Sequence, residues 1–210
     1  MIYSQDHNFL MIKNVKVGGT SLEVELSNVL PDNAIFTTIN PSNSNHNPRN
    51  NDGFYNHMPY SEIEKKIDLS NVKSYIFVRN PYEVVLSDFF HNLFIYKKDY
   101  FKTSLEEKHR LLDKYFFVKN NDFSLIRSTK RLYVSENNEF QVDKILRYEN
   151  GIEFEINPIL DEHGIKQINM NTFEKSYRTK EIKYQDVFSK DHINEIEKEW
   201  HWEFEEFGYN

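Results

Sequence analysis

A short segment with two glycines near the start of the chain has the residue types of a phosphate-binding loop. It follows an apolar run, precedes a helical pattern, and reads Lys16-Val17-Gly18-Gly19-Thr20-Ser21. Adjacent glycines let backbone N–H groups converge, and the start of a helix adds about half a positive charge. Lys16 adds a full charge. The segment is therefore predicted to bind a phosphate group, and a plain tight turn with a helix cap is the alternative interpretation.

A second candidate anion contact follows another apolar run. Residues 72–78 have the length of a strand, and Arg79, Asn80 and Pro81 come directly after them. Asn80 suits a helix N-cap and Pro81 suits the first helical position, so a helix is predicted to about residue 98. Arg79 is suited to a bidentate grip on phosphate, and Ser87 follows eight residues later. A carboxylate partner for Arg79 and a packing role for Ser87 remain open.

Both motifs lie between a predicted strand and a predicted helix. The strands are residues 8–13 and 72–78, and the spacing of Leu22, Leu26 and Val29 predicts a helix over residues 20–29. Strands that feed helices indicate an α/β fold with a central parallel sheet flanked by helices. Ligands of such sheets bind beyond the carboxyl ends of the strands, which is where both motifs are expected.

The remaining sequence supplies further elements. Helices are predicted over residues 61–67, 104–117, 152–161 and 190–207, the second of them with a capping box formed by Ser104 and Glu107. A hairpin is predicted over residues 131–148. The Asn-rich residues 40–57 are predicted to form a mobile polar loop. Because no repeat or linker divides the sequence, residues 1–210 are predicted to form a single domain.

The composition excludes several classes of site and partner. The chain has 210 residues, a net charge of -7 and no Cys, which excludes disulfides and zinc–thiolate sites. The acidic balance argues against general affinity for nucleic acid. The His residues show no paired metal-ligand spacing, so no metal is expected. Because no signal peptide and no apolar run of membrane-spanning length is found, a cytoplasmic location is expected. Oligomeric state is not readable from the sequence.

The position of the lysine weighs against a nucleoside-triphosphate loop. Such a loop carries its Lys directly after the last Gly, whereas Lys16 precedes Gly18 and Gly19. A dinucleotide fold has no support either, because no Gly-x-Gly-x-x-Gly follows a strand. Two alternatives stay open: a small-molecule kinase that uses ATP, and a catalytically inactive fold that keeps anion binding as an interaction module.

Taken together, the two motifs resemble those of the sulfotransferases that use 3′-phosphoadenosine-5′-phosphosulfate (PAPS), above all the carbohydrate-type branch. That family carries a 5′-phosphosulfate loop, Pro-Lys-Thr-Gly-Gly-Thr-Ser, and a 3′-phosphate motif, Val-Arg-Asn/Asp-Pro with a later Ser. Residues 16–21 and 78–87 are similar to these motifs, and weaker similarities lie at His57 and at residues 142–149 and 206–209. Val15 and Val17 depart from the family pattern, which has Pro and Thr at these positions.

The resemblance implies a P-loop-type fold and a sulfuryl transfer from PAPS to a hydroxyl, with carbohydrates as the expected acceptors. It also implies adenosine 3′,5′-bisphosphate as product and no metal. It implies that Lys16 stabilises the departing 5′-phosphate, and that Arg79 and Ser87 hold the 3′-phosphate. His57 is the first candidate for the base that takes the proton of the acceptor hydroxyl, and a surface position is the alternative. The residues expected around the 5′-phosphate are Gly18, Gly19, Thr20, Ser21 and Leu22.

Overall fold

The computed structural model describes residues 1–39, 46–118, 123–170 and 182–209. The chain divides into two compact units. The first comprises Met1–Arg79 and Thr129–Glu174, and the second comprises Asn80–Ser128 and Lys175–Asn210. The single domain expected over residues 1–210 stays a prediction.

The first unit is built on a five-stranded mixed sheet. Its strands are β1 (Ile2–Ser4), β2 (Phe9–Ile12), β3 (Ile35–Phe36), β4 (Lys73–Val78) and β5 (Lys144–Arg147), in the spatial order β3-β1-β2-β4-β5. β2, β4 and β5 run parallel, whereas β1 is antiparallel to both of its neighbours. The α/β class with a central sheet flanked by helices is confirmed, and the sheet is mixed, because β1 runs antiparallel beside the parallel strands. A tight turn, closed by the Asn8 N–H bond to the Gln5 carbonyl, folds β1 back onto β2.

Helices follow the parallel strands as the sequence predicts. The first unit holds α1 (Gly19–Ser27), α2 (Tyr60–Ile63) and α5 (Ile152–Glu162). The second holds α3 (Pro81–Ile95), α4 (Leu105–Phe117), α6 (Lys190–Glu199) and α7 (His201–Phe207). The one long helix predicted over residues 190–207 is wrong, because the chain leaves helical geometry at Trp200. That side chain is buried, and its indole N–H donates to the Ile126 carbonyl at 3.1 Å.

The core of the first unit lies where α1 and α5 pack on one face of the sheet. Phe9 and Met11 of β2 and Tyr75 and Phe77 of β4 contribute to this face, in the alternation expected of strands. The alternate residues Leu10, Ile12, Ile76 and Val78 are buried as well. Burial on both faces explains why these strands read as continuous apolar runs.

The hairpin predicted over residues 131–148 is only partly correct. Val134 and Phe140 form an isolated antiparallel bridge, which gives the turn. The chain then joins the sheet as β5, parallel to β4, instead of pairing back along the first arm. Asp143 ties the chain to β4 at this point, because its carboxylate accepts from the Ser74 N–H at 2.9 Å and from the Ser74 hydroxyl at 2.8 Å.

Part of the predicted polar loop is tied to the first unit. Residues 40–45 lie outside the described residues, and residues 46–57 contain an isolated bridge but no helix or strand. The Arg49 guanidinium lies 4.4 Å from the centre of the Phe36 ring. Its Nη2 donates to the carbonyls of Ser27, Leu30 and Pro31 at 3.1–3.3 Å. Position 49 is thereby held against the end of α1.

Aromatic side chains form the centre of the helical second unit. Phe89 of α3 contacts the rings of Tyr100, Tyr115, Phe123 and Phe188. The predicted caps are in place: Asn80 accepts from the Tyr82 N–H at 3.0 Å, and Ser104 accepts from the Glu107 N–H at 3.3 Å. In the described part of the chain, no helix combines the length and apolar character needed to cross a membrane.

Candidate functional site

The glycine segment forms a tight turn between β2 and α1. Lys16 and Gly18 both have left-handed backbone, with φ of 56° and 73°, and Gly18 is the N-cap of α1. A Cβ atom at Gly18 would lie 2.6 Å from Cδ1 of Ile152, so the end of that side chain would have to move. Glycine is favoured at this position chiefly because the left-handed backbone strains other residues. The turn delivers the chain directly into the first turn of α1.

The N-terminus of α1 has the electrostatic character of an anion site. No described side chain caps its N-terminus, and its first turn holds no acidic residue. The first N–H groups of a helix lack acceptors within the helix, and the helix dipole makes this end positive. Gly18, Gly19 and Thr20 are partly exposed, whereas Ser21 and Leu22 are buried. An anion could therefore approach the first three of these predicted ligand-binding residues from solvent.

Arg79 of the second motif contacts the backbone of the glycine segment. Its Nη1 donates to the Lys16 carbonyl at 2.9 Å, and its guanidinium lies 4.4 Å from the centre of the Tyr148 ring. Lys16 follows β2, Arg79 follows β4, and Tyr148 follows β5, so the carboxyl ends of three parallel strands meet here. Tyr148 also lies beside the loop, since a Cβ on Gly18 would be 3.4 Å from its Cε2. The guanidinium is thus held against the backbone of the turn.

Ser87, the other residue expected at the 3′-phosphate, belongs to the second unit. It is the seventh residue of α3 and is partly exposed. Its predicted part in ligand binding stays a prediction.

A buried hydrogen-bond network fixes the start of the turn. Asn14 Nδ2 donates to the Phe77 carbonyl at 3.0 Å and to Tyr133 Oη at 2.5 Å. Asn14 Oδ1 accepts from the Val15 N–H at 2.7 Å. Tyr133 Oη also lies 2.8 Å from Thr129 Oγ1. The sequence analysis missed these residues, whose contacts connect the end of β2 to β4 and to a segment far along the chain.

A buried ion pair lies directly beneath the loop. Lys13, the first residue after β2, pairs with Glu23 of α1, and the two side chains are 3% and 0% exposed. His46 Nε2 lies 3.4 Å from the same carboxylate oxygen. Burial alone raises the pKa of Glu23, but His46 and the Lys13 charge outweigh it and leave that pKa below its ordinary value. Glu23 is therefore ionised, and the pair connects the two ends of the turn.

His57 contacts the same strand end from the polar segment. Its Nδ1 lies 2.8 Å from the Lys13 carbonyl, so Nδ1 carries the proton of the neutral ring and Nε2 keeps its lone pair. Burial, with the nearby charges of Lys13 and Arg131, lowers the pKa of His57 to about 4. The backbone of His57 is left-handed, with φ of 56°. The ring is thus a neutral, backbone-anchored group with one free ring nitrogen lone pair at neutral pH.

Acidification should destabilise the protein through His57. Its pKa is about 4 in the folded chain against an ordinary value of 6.5, so the unfolded chain binds more protons between these values. The stability that depends on neutral His57 is present above pH 6.5 and is lost as the pH falls toward 4, by roughly 3 kcal/mol. Urea unfolding across this range measures the loss. Asn tolerates left-handed backbone, so the His57→Asn variant should fold, and it should lose less stability than wild type over the same pH range. An equal loss in both proteins would contradict the assignment of this pH dependence to His57.

The described residues offer no cluster of three or more His, Cys, Asp or Glu side chains placed to hold a metal ion.

Two features of the sequence could have pointed to the buried polar residues around the loop that the sequence analysis missed. Lys13 and Asn14 are polar residues directly after a buried strand, at the edge where ligands of α/β sheets bind. Glu23 is a charged residue beside Leu22 and Leu26 on the buried side of a short helix, where a charge needs a partner.

Comparison of the chain with protein-family models, with curated proteins and with solved structures finds no match. What the protein does must therefore be inferred from its own residues.

Proposed function

We propose that this chain is a sulfotransferase that moves the sulfuryl group of PAPS to a hydroxyl of a carbohydrate or a similar acceptor. The bond from Arg79 Nη1 to the Lys16 carbonyl carries the proposal. It joins two motifs that lie 63 residues apart in the chain, at the ends of the neighbouring parallel strands β2 and β4. The start of α1, the backbone of Lys16 and the Arg79 guanidinium come together there, and a helix N-terminus with an arginine nearby suits a phosphorylated ligand.

The loop fits the 5′-phosphate end of such a donor by its own geometry. The start of α1 has neither a side-chain cap nor an acidic residue in its first turn within the described part of the chain, and the left-handed Gly18 leads the chain directly into it. The backbone N–H groups of residues 18–22, with the Thr20 and Ser21 hydroxyls, would hold the 5′-phosphate. Bound PAPS would supply an activated sulfuryl group and a phosphate leaving group.

The protein's part in this transfer is positioning and charge stabilisation. Lys16 would neutralise charge at the 5′-phosphate, because it stands in the turn that would hold this group. Arg79 fixes the Lys16 carbonyl, and with it the backbone of that turn. Arg79 would contact the 3′-phosphate, and the part predicted for Ser87 in holding that phosphate stays a prediction.

His57 would accept the proton of the acceptor hydroxyl at Nε2, since Nδ1 is engaged by the Lys13 carbonyl. A pKa of about 4 leaves Nε2 unprotonated at neutral pH but also makes it a weak base. Negative charge on a bound donor would raise this pKa, because a nearby anion favours the protonated ring. The base would therefore gain strength when the donor is bound.

Loss of the Arg79 side chain should weaken binding of adenosine 3′,5′-bisphosphate by about 10- to 100-fold, the value of hydrogen bonds to a charged group. Calorimetric titration of wild type and Arg79→Ala measures this directly. Adenosine 5′-monophosphate separates the two roles of the arginine, because it lacks the 3′-phosphate. If Arg79 contacts that phosphate, the variant should bind the two ligands with nearly equal affinity.

Arg110→Ala is the matched control, since Arg110 is an exposed arginine of α4 and should leave both affinities unchanged. Equal losses for both ligands in Arg79→Ala would mean that Arg79 only shapes the loop, and the 3′-phosphate assignment would be wrong. ATP with Mg²⁺ serves as the competing ligand. Tighter binding of ATP with Mg²⁺ than of the bisphosphate without metal would favour the kinase alternative and contradict the proposal.

A further inference from the structure

Large apolar side chains are exposed together at one end of the second unit. Phe94 and Ile95 end α3, and Phe101 lies in the short turn that leads to α4. These three side chains are 60%, 53% and 56% exposed. They line one groove of about 550 Å³ together with Lys97 and Lys98, and these five residues are called the aromatic–lysine patch. Single exposed apolar residues are ordinary, but a contiguous group marks a contact surface.

The wall of the groove is held in place from inside the unit. Phe90 is buried in α3, and its ring stacks on Phe101 with centroids 5.9 Å apart and planes 9° from parallel. Tyr100 meets the Phe90 ring edge-on at 5.6 Å. Phe101 is therefore anchored on one side while more than half of its surface faces solvent. The apolar surface is presented by a fixed ring and not by a loose chain end.

The charge around these apolar residues is positive. Residues 94–102 contain Lys97, Lys98 and Lys102 against Asp99 alone, in a chain whose net charge is -7. Asp99 pairs with Lys102 at 3.1 Å, and Lys98 Nζ lies 3.9 Å from Glu107. Lys97 has no ion-pair partner among the described residues and is exposed. The patch thus combines apolar rings with uncompensated positive charge.

We propose that the aromatic–lysine patch docks this protein on an anionic lipid surface. Aromatic and aliphatic side chains enter the boundary between headgroups and acyl chains, while neighbouring lysines stay at the anionic headgroups. The side chains of Lys97 and Lys98 flank the apolar residues as this arrangement requires. A second copy of the chain fits less well, because a two-fold contact through this patch would set lysines against lysines.

Sedimentation with lipid vesicles tests the proposal and needs no donor or acceptor of the proposed reaction. The full chain should sediment with vesicles of equal parts phosphatidylglycerol and phosphatidylcholine at low salt, and not with pure phosphatidylcholine. Phe101→Ser and Lys97→Glu should each lower the protein's partition coefficient onto the anionic vesicles by about 10-fold. The controls are Phe154→Ser and Lys166→Glu, at an exposed Phe and an exposed Lys of the first unit, and both should bind as wild type does.

Three results would overturn the proposal. They are equal binding to neutral and anionic vesicles, unchanged binding of Phe101→Ser and Lys97→Glu, and an equal loss in the Phe154→Ser and Lys166→Glu controls. Analytical ultracentrifugation distinguishes the self-association alternative. A dimer that Phe101→Ser dissociates, with no vesicle binding by wild type, would identify the patch as a contact between copies and would also overturn the proposal. Since binding to lipid is read without PAPS, its failure leaves the proposed sulfuryl transfer untouched.

Discussion

Replacing Lys13 with Met should lower the free energy of unfolding by about 3–5 kcal/mol, the cost of leaving a buried charge without its partner. Glu23 is fully buried, and its carboxylate would lose the lysine that neutralises it. One of its oxygens, Oε1, has no hydrogen-bond partner among the described residues even with Lys13 present. Urea unfolding at neutral pH measures the loss. Because the pair connects the end of β2 to α1, binding of adenosine 3′,5′-bisphosphate should weaken as well.

The double variant Lys13→Met/Glu23→Leu separates the ion pair from simple packing. Removing both charges removes the unpaired group, so the double variant should be more stable than Lys13→Met alone. The exposed pair Lys65 and Glu136 in the same unit provides the control, and Lys65→Met should leave the unfolding midpoint nearly unchanged. A Lys13→Met protein with the midpoint of wild type would show that the pair does not stabilise the fold.

Lys16→Met should lower the rate of sulfuryl transfer by about 100-fold or more, the effect of removing one group that stabilises transition-state charge. The affinity for adenosine 3′,5′-bisphosphate should fall much less, since the N–H groups at the start of α1 and Arg79 remain. The rate should fall more than the affinity because negative charge builds up on the leaving phosphate only during transfer, and Lys16 would stabilise that charge. Release of the bisphosphate from PAPS, measured in single turnover with a mixture of oligosaccharide acceptors, gives the rate.

Two further variants make this prediction specific. Lys16→Arg keeps the positive charge and should keep more of the rate than Lys16→Met. Lys166→Met removes an exposed lysine from the same unit and should have no effect on the rate. Equal turnover by Lys16→Met and wild type would remove Lys16 from the mechanism. Binding of the bisphosphate without turnover on any acceptor, by the wild-type chain, would favour the inactive interaction module.

The strand–turn–helix units at β2–α1 and β4–α3 were predictable because their signals are local. Buried strands appear as short apolar runs, and helix starts appear as glycine, Asn-Pro or Ser residues at fixed spacing. The caps at Asn80 and Ser104 lie where the sequence predicts them. The loop of residues 16–21 could be located for the same reason. Its proposed ligand comes from the combination with Arg79 and stays a proposal.

The contacts that shape the candidate site depend on residues far apart in the chain. Asn14 and Tyr133 are 119 residues apart, and Arg79 meets the Lys16 carbonyl across 63 residues. No spacing rule in a single sequence encodes such a pair, because the partners are brought together only by the order of strands in the sheet. Lys13 and Glu23 are close in sequence, but their pairing depends on how tightly the turn closes.

The sequence by itself determined the α/β class, the two strand–turn–helix units, and the residue types available to bind an anion. Each of these follows from local periodicity and from the conformational needs of Gly, Pro and Asn. Only the tertiary structure decided that β1 folds back antiparallel, that β5 joins the sheet instead of completing a hairpin, and that Arg79 and Tyr148 meet at the loop. Those outcomes depend on which distant segments bury each other's surfaces. The residues of the loop at positions 16–21 can therefore be identified in the sequence, whereas the residues that contact the loop are determined by the fold.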